Sequence, residues 1–255
     1  MSRRLLFLLI LIAGYTSAAR GEVLTIGTDP WCPYNCEDPK KQGIVVELFR
    51  EILAREGHEV RLEFYPWARA IVMLKKGHTT TFGSANRKDA PEMTWASVPT
   101  VDMRNTIFAR ADDHWQYQGP ASLTRGRLGV IHNYNYGRDI DRYIADPKNA
   151  ERIVKVSGLN SLERLLRMLA SGRLRFIIDD QFVTMWLAHR LKLGKSIRPV
   201  KLVSKVPLYF GFAPGRPASK RYATIVDAGL LRMQRDGTMA AVFQRYGVTC
   251  FYCRP

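Results

Sequence analysis

The densest chemistry in this chain sits in six residues, Trp31-Cys32-Pro33-Tyr34-Asn35-Cys36. Two thiols this close can bridge, ligate a metal or exchange with other dithiols. Exchange chemistry uses a Cys-x-x-Cys spacing with the attacking sulfur at a helix start, where the thiolate is stabilised. Here three residues intervene, and Glu37-Asp38-Pro39 is a poor helix opening, so a thiol-disulfide oxidoreductase is the weakest reading. Cys250 and Cys253 form the other close pair. Four cysteines allow three connectivities. A local Cys32–Cys36 bridge is favoured, a Cys250–Cys253 bridge is held more loosely, and cross-pairing of the N-terminal loop to the tail stays open. No His or Cys spacing resembles a zinc site, and no metal or cofactor is expected.

Other charged and titratable residues are sparser. The acidic pair Asp179-Asp180 follows an apolar run, and Arg69 and Arg87 lie near helix- and strand-ends. The five histidines (His58, His78, His114, His132 and His189) show no pairing. General acid–base work needs a positioned pair, so the expectation is a protein that binds rather than one that catalyses.

The first residues place this chemistry in a compartment. Arg3-Arg4, an aliphatic run from Leu5 to Ala13, and Ser17-Ala18-Ala19 follow the basic, apolar, small-residue order of a secretory signal. The run is too short for a spanning helix, which needs about 20 apolar residues. Cleavage near Ala19 and a periplasmic location are expected. In an oxidising compartment the four cysteines read as disulfides.

The chain has 255 residues and a formal charge of +16, which would fall to about +14 on loss of Arg3 and Arg4. A basic surface can attract polyanions. The Lys and Arg residues are dispersed, however, as at Arg164, Arg167 and Arg173, which reads as a solvated face. Nucleic acid is excluded as a partner on that dispersion and on export, and a monomer is expected.

Periodicity supplies the elements that must hold these residues. Val23 to Thr28 reads as a buried strand, Ile44 to Glu56 as a helix and Val60 to Tyr65 as a strand. A helix opening at Pro66 runs to Gly77, and Thr79 to Gly83 is strand-like. Thr106 to Arg110 is a further strand. A second α/β unit follows, with strands at Leu128–Ile131, Ile153–Val156 and Phe176–Ile178. Its helices cover Asp139–Ala145, Ser161–Ala170, with Ser161 as N-cap, and Val183–Leu191. Strands at Val200–Val203 and Tyr209–Ala213 lead to helices at Ala218–Arg235 and Thr238–Tyr246. Alternating strands and helices make this an α/β protein.

Several segments in order resemble the family 3 extracytoplasmic solute-binding proteins, the polar amino acid-binding type of ABC transport. They are Leu24 to Asp29, Gly43 to Leu48, Pro66-Trp67-Ala68-Arg69-Ala70, Leu123 to Gly129, Ser171 to Leu174 before Asp179-Asp180, and Asp236-Gly237-Thr238 before Phe243 to Gly247. The resemblance spans nearly the whole chain after the signal. It implies a two-lobe periplasmic-binding-protein-like fold with a hinge of two crossing strands, which closes on a ligand. The expected division is a signal over 1–19, lobe 1 over 20–111 and 205–255, and lobe 2 over 112–204.

The resemblance also implies a site. Asp29, Trp31 and Tyr34 follow the first strand, Trp67 and Arg69 open the second helix, and Gly83 and Ser84 belong to the binding segment of lobe 1. A Thr-x-x-Arg arrangement usual there would put an Arg on the ligand carboxylate. Arg87 falls early for that role, and Arg69 is its rival. In lobe 2, Asn133, Tyr134 and Tyr136 should begin a helix whose backbone N–H groups receive an anion, and Asp180, with Asp179 as rival, should meet the ligand ammonium. Arg175 stands where the family usually has Asp. Arg69, Arg87 and Arg175 together hint at a ligand with an extra acidic group. The implied partners are a small polar ligand and an ABC permease or a membrane sensor. The alternatives on the same fold are a sensing protein without transport and an exported dehydratase-like enzyme.

Overall fold

The computed structural model describes residues 21–253. The secretory-signal reading and its cleavage point near Ala19 lie outside them.

Two α/β lobes are joined by two long strands. The first lobe begins with β1 (Val23–Thr28), α1 (Ile44–Ala54), β2 (Glu59–Phe64) and α2 (Trp67–Lys75). β1 and β2 pair in parallel from Val23↔Glu59 to Thr28↔Phe64. The piece expected as a strand over 79–83 is reduced to one residue, Thr81. Thr81 bridges Ile26 on one side and Phe212 on the other, and so links β1 to the pair β3 (Thr94–Trp95) and β9 (Gly211–Phe212).

α1 is amphipathic, and Ile44, Val45, Val46, Leu48, Phe49, Ile52 and Leu53 are all buried. Each such side chain contributes roughly 1.5–3 kcal/mol of burial. The helix starts at Gly43, where φ is 104° and an added Cβ would stand 2.3 Å from the Tyr34 carbonyl oxygen. Only glycine fits that turn. The turn pins the Cys32–Cys36 loop to the helix, because Ile44 N donates to Pro33 O at 2.9 Å and Val45 N to Tyr34 O at 3.0 Å. The lobe is completed by α6 (Pro217–Arg235) and α7 (Thr238–Arg245), which pack on α1.

The second lobe is built on a five-stranded sheet ordered β6-β5-β7-β4-β8, which the two linking strands β4 and β8 enter. Its strands are β5 (Leu128–Ile131), β6 (Ile153–Val156), β7 (Phe176–Asp180), β4 (Val101–Arg110) and β8 (Ile197–Leu208), covered by α3 (Arg138–Ala145), α4 (Ser161–Ala170) and α5 (Gln181–Arg190). β7 lies at the centre and is buried throughout, which its run Phe-Ile-Ile-Asp-Asp shows in the three apolar residues.

β4 and β8 are the crossing strands. They pair antiparallel from Val101↔Leu208 to Arg110↔Ile197. Both are longer than periodicity indicates, which finds only 106–110 and 200–203. The extra lengths carry Asp102, Arg104, Arg198, Lys205 and Pro207, so the apolar alternation is broken where the strands run between lobes.

Three local expectations change. Pro66 is the N-cap of α2, not its first residue, with ψ of 139°. Ser161 is not the N-cap of α4; that position is Asn160, and the Ser161 hydroxyl donates to Gly158 O at 2.7 Å. Asn133 to Tyr136 do not begin a helix, because α3 starts at Arg138 after Gly137. Both disulfides are local, Cys32–Cys36 and Cys250–Cys253.

Candidate ligand cleft between the lobes

A cavity of about 270 Å³ opens between the lobes, with a smaller inner compartment of about 40 Å³. Asp29, Trp31, Asn35, Trp67 and Tyr134 line both. The first four come from the lobe 1 loops after β1 and β2. Tyr134 comes from the lobe 2 loop after β5. Its hydroxyl donates to Asp29 Oδ2, a direct tie across the cleft.

The elements explain these positions. β1 ends at Thr28, so Asp29 emerges at its carboxyl end, where open α/β sheets place their ligands. Trp31 is held by reciprocal backbone bonds with Asn35, including Trp31 N to Asn35 O at 2.9 Å. The Asn35 amide donates to Thr28 Oγ1 at 3.1 Å, while its Oδ1 is buried without a partner. Trp67 opens α2 and packs on Phe82 with ring centroids 5.4 Å apart.

The adjacent acids of β7 part ways, since successive strand side chains alternate in direction. Asp180 turns inward as the N-cap of α5. Its Oδ1 accepts from Phe182 N at 2.9 Å and Val183 N at 3.0 Å, and its Oδ2 accepts from Arg104 N at 2.7 Å. Asp179 turns to the cavity, with Oδ1 accepting from Asp180 N at 2.7 Å and Oδ2 bonding nothing. The Trp31 indole faces Asp179, but neither group gains a hydrogen bond of normal geometry.

Burial sets the electrostatics. Loss of water pushes Asp179 up to about 8, and the nearby Asp180 and Asp29 add to the rise. Asp29 is pushed up to about 6 by burial, against the hydrogen bond from Tyr134. Asp89, in the inner compartment, rises to about 7 for the same reason, with Asp141 adding to it. Asp180 is also raised to about 6 by burial, held down by its backbone donors. A desolvated carboxyl without a counter-ion prefers its neutral form.

Of the residues expected in the site, Asp29, Trp31, Trp67, Tyr134 and Ser84 line the two compartments. Ser84 bonds the Thr100 hydroxyl there. Asn133 lines only an adjoining outer groove. Tyr34 and Tyr136 are core side chains, each 1% exposed, and Gly83 is packed beneath Val45. Arg69 is exposed, 5.8 Å from the Tyr65 ring, and lines neither compartment. Arg87 also points away: its Nη2 donates to Ala96 O at 2.8 Å and its guanidinium lies 4.0 Å from the Tyr209 ring. Arg175 is ion-paired with Asp113 at 2.7 Å. The hint of an acidic ligand therefore loses its support, because all three guanidinium groups are engaged outside the cleft.

The expected anion site in lobe 2 is likewise filled. Tyr136 N donates to Asp141 Oδ1 at 2.9 Å and Gly137 N to Asn135 Oδ1 at 3.1 Å, so these N–H groups are taken.

Asp89 and Asn35 were not found from sequence. One signal existed for Asp89: a Thr-x-x-Arg spacing counted from Asn86 ends on Asp89, an acid where the resemblance leads one to seek a base. Glu163, Trp186 and Arg190 at the outer end were also missed, because positions on α4 and α5 carry no local mark of the cavity they line. His132 lines this outer part. Cys32 and Cys36 are bonded to each other, and no α-helix begins at either sulfur, the next one being α1 at Ile44. Among the described residues, no group of three or more His, Cys, Asp or Glu could hold a metal, and no helix is long and apolar enough to cross a membrane.

The sequence model of the bacterial extracellular solute-binding proteins, family 3, matches residues 24–249. Among solved structures, a histidine kinase sensor domain with similarity to periplasmic binding proteins superposes with a TM-score of 0.73 at 20% identity, covering 89% of this chain and 96% of that one. An ancestral arginine-binding protein bound to arginine gives 0.73 at 15% identity, covering 88% and 97%. A putative L-cystine ABC transporter protein from Listeria monocytogenes gives 0.71 at 16%, covering 88% and 95%. At these identities the likeness is one of fold. No curated protein matches the sequence.

Proposed function

We propose that this chain, which belongs to the family 3 bacterial extracellular solute-binding proteins, captures one small polar solute between its lobes and hands it to an ABC importer. The family is a class of binding proteins, not of enzymes. The observation that carries the reading is the cleft itself: residues of both lobes enclose one cavity, and Tyr134 of lobe 2 bonds Asp29 of lobe 1 across it. Closure of this kind commits a solute by excluding water on both sides.

In this reading the lobes divide as 20–111 with 205–255, and 112–204, with β4 and β8 as the hinge. The signal is removed near Ala19 and the protein works in the periplasm. The solute is held by Asp29, Trp31, Trp67, Ser84 and Tyr134, with Asp179 in the role expected of Asp180. The ABC importer finds support in the L-cystine ABC transporter protein that shares the fold. The sensor domain among the structural matches supports a second reading, in which the loaded protein signals to a membrane sensor. A permease and ATPase encoded beside this gene would favour transport, and a sensor kinase there would favour signalling.

The test is a thermal-unfolding screen of the processed protein with amino acids, amines and small carboxylates. A solute at a hundredfold excess over Kd stabilises by about 2.7 kcal/mol. A rise in Tm with one class is the expected result, and no rise with any class would refute solute capture.

A further inference from the structure

Building on the binding-protein reading, we propose that the solute is a small organic cation, an amine or guanidine that enters the cleft head first and needs no carboxylate of its own. Asp29 and Asp179 reach the same cavity from opposite lobes, and Asp89 joins Asp29 in the inner compartment. Asp179 is buried, and its Oδ2 makes no hydrogen bond of normal geometry, the Trp31 indole N–H being the one donor that faces it; Asn35 Oδ1, also buried, is a second orphan acceptor on the same walls. A buried acceptor left unpaired costs about 1–3 kcal/mol. An ammonium or guanidinium carries only donors, so one such head satisfies acceptors that a carboxylate would repel. The walls suit it too. Trp31, Trp67 and Tyr134 surround the acids, and aromatic faces attract cations.

Of the groups that would receive an anion, the start of α4 at Asn160, Ser161 and Leu162 lines the larger cavity without a side-chain cap, with the acid Glu163 in its first turn beside it; the others are elsewhere or occupied. Arg69 and Arg87 lie outside, and the Tyr136 and Gly137 N–H groups are bonded within their own loop. Arg190 and His132 line the outer cavity, but Glu37 and Glu163 line it with them. Across both compartments five acids face one arginine and one histidine. The raised acids fit a site waiting for its counter-charge.

Calorimetric titration of the processed protein at pH 7.5 with agmatine, 1,4-diaminobutane, L-arginine, L-glutamine and L-glutamate tests this. Agmatine and L-arginine differ by the carboxylate. The expected result is binding of agmatine or diaminobutane, weakened at least tenfold by Asp29→Asn and by Asp179→Asn, with L-glutamate silent. Binding of L-glutamine or L-glutamate with both amines silent overturns the cation while leaving solute capture standing. Binding of L-arginine with both amines silent overturns the carboxylate-free claim alone. Silence with every probe overturns the cation, and solute capture is then judged by the broader unfolding screen. The comparison of probes uses the unaltered chain, so it holds even where a variant fails to fold. Amine binding unmoved by both variants refutes the placement.

Discussion

The cleft and the outer surface of this protein carry opposite charge. The chain has 39 Lys and Arg against 23 Asp and Glu. Its cleft nonetheless gathers Asp29, Glu37, Asp89, Glu163 and Asp179 around one arginine and one histidine. The basic side chains of α6 and its flanks, such as Arg216, Lys220 and Arg235, are exposed. Outside, water and salt screen each charge within about 8–10 Å. Inside, the same charges shift their own protonation by units. Net charge therefore describes how the molecule meets its surroundings and says nothing of what it holds. Among the described residues, seven salt bridges, such as Lys75–Glu92 at 2.5 Å, involve well-exposed basic groups. Pairs of this kind contribute about 0–1 kcal/mol each.

The largest expected effect separates the two neighbours Asp179 and Asp180. Asp180→Ala removes the α5 cap, worth about 1 kcal/mol, and strands the Arg104 N–H, worth about 1–3. Thermal unfolding should fall by roughly 5–10 °C on the usual scaling for this size. Asp179→Asn should leave the unliganded Tm unchanged or raised, since it removes a desolvated acid whose Oδ2 bonds nothing. Equal losses at both positions would erase the distinction drawn between a structural and a ligand-facing acid.

Next in size is a pH effect confined to the cleft. Asp29, Asp89 and Asp179 have folded-state pKa values of about 6, 7 and 8, above their ordinary carboxylate range. A raised value means the folded state holds the proton more tightly than the unfolded chain does. The stability it contributes is complete below about pH 4 and is lost as pH rises to about 8. Asp141 beside Asp89, and Asp180 and Asp29 beside Asp179, add like charge to the same field, while the Tyr134 hydroxyl donates to Asp29. Denaturant unfolding of the unliganded protein should show decreasing stability from pH 5 to pH 8.5, with a shallower slope in Asp179→Asn. A solute cation reverses the preference, so its affinity should rise over the same range. A flat profile would mean these acids are better solvated than their burial implies.

Tyr134→Phe should be milder. It removes one hydrogen bond to a carboxylate, worth about 1.5–3 kcal/mol at most, and shifts the lobes toward an open arrangement, read as a larger radius of gyration in solution scattering. Arg87→Ala should cost about 1 kcal/mol of stability through its Tyr209 and Ala96 contacts and leave solute affinity intact. The smallest effect belongs to the outer surface. Lys220→Glu with Arg235→Glu should advance elution from a cation exchanger while changing solute affinity less than twofold at 0.15 M salt, because screening isolates the back of α6 from the cleft. A larger change would show that the outer field reaches the site.

Much of the architecture was legible in the chain. The apolar faces of α1 and α4 and the runs of β1, β5 and β7 repeat at helix or strand period, and burial of those faces allows little choice of fold. The family segments stand in order, and close spacing favoured the Cys32–Cys36 bridge, while the Cys250–Cys253 bridge, held more loosely in sequence, is decided by the structure. The hinge was only half legible, because β4 and β8 lose their apolar alternation between the lobes.

Side-chain direction at element ends was decided by tertiary structure alone. The sequence offers Asp179-Asp180 as equals; the cap required by α5 claims Asp180 and releases Asp179 to the cavity. It offers Arg69 and Arg87 as carboxylate grips; Tyr65, Tyr209 and the Ala96 carbonyl engage them outside. It leaves Asp89 unmarked, and the packing of two lobes makes it part of the inner wall. The physical reason is that periodicity encodes which face is buried, a property of many residues at once. The direction of one polar side chain depends on which partner reaches it first, and that partner is distant in sequence.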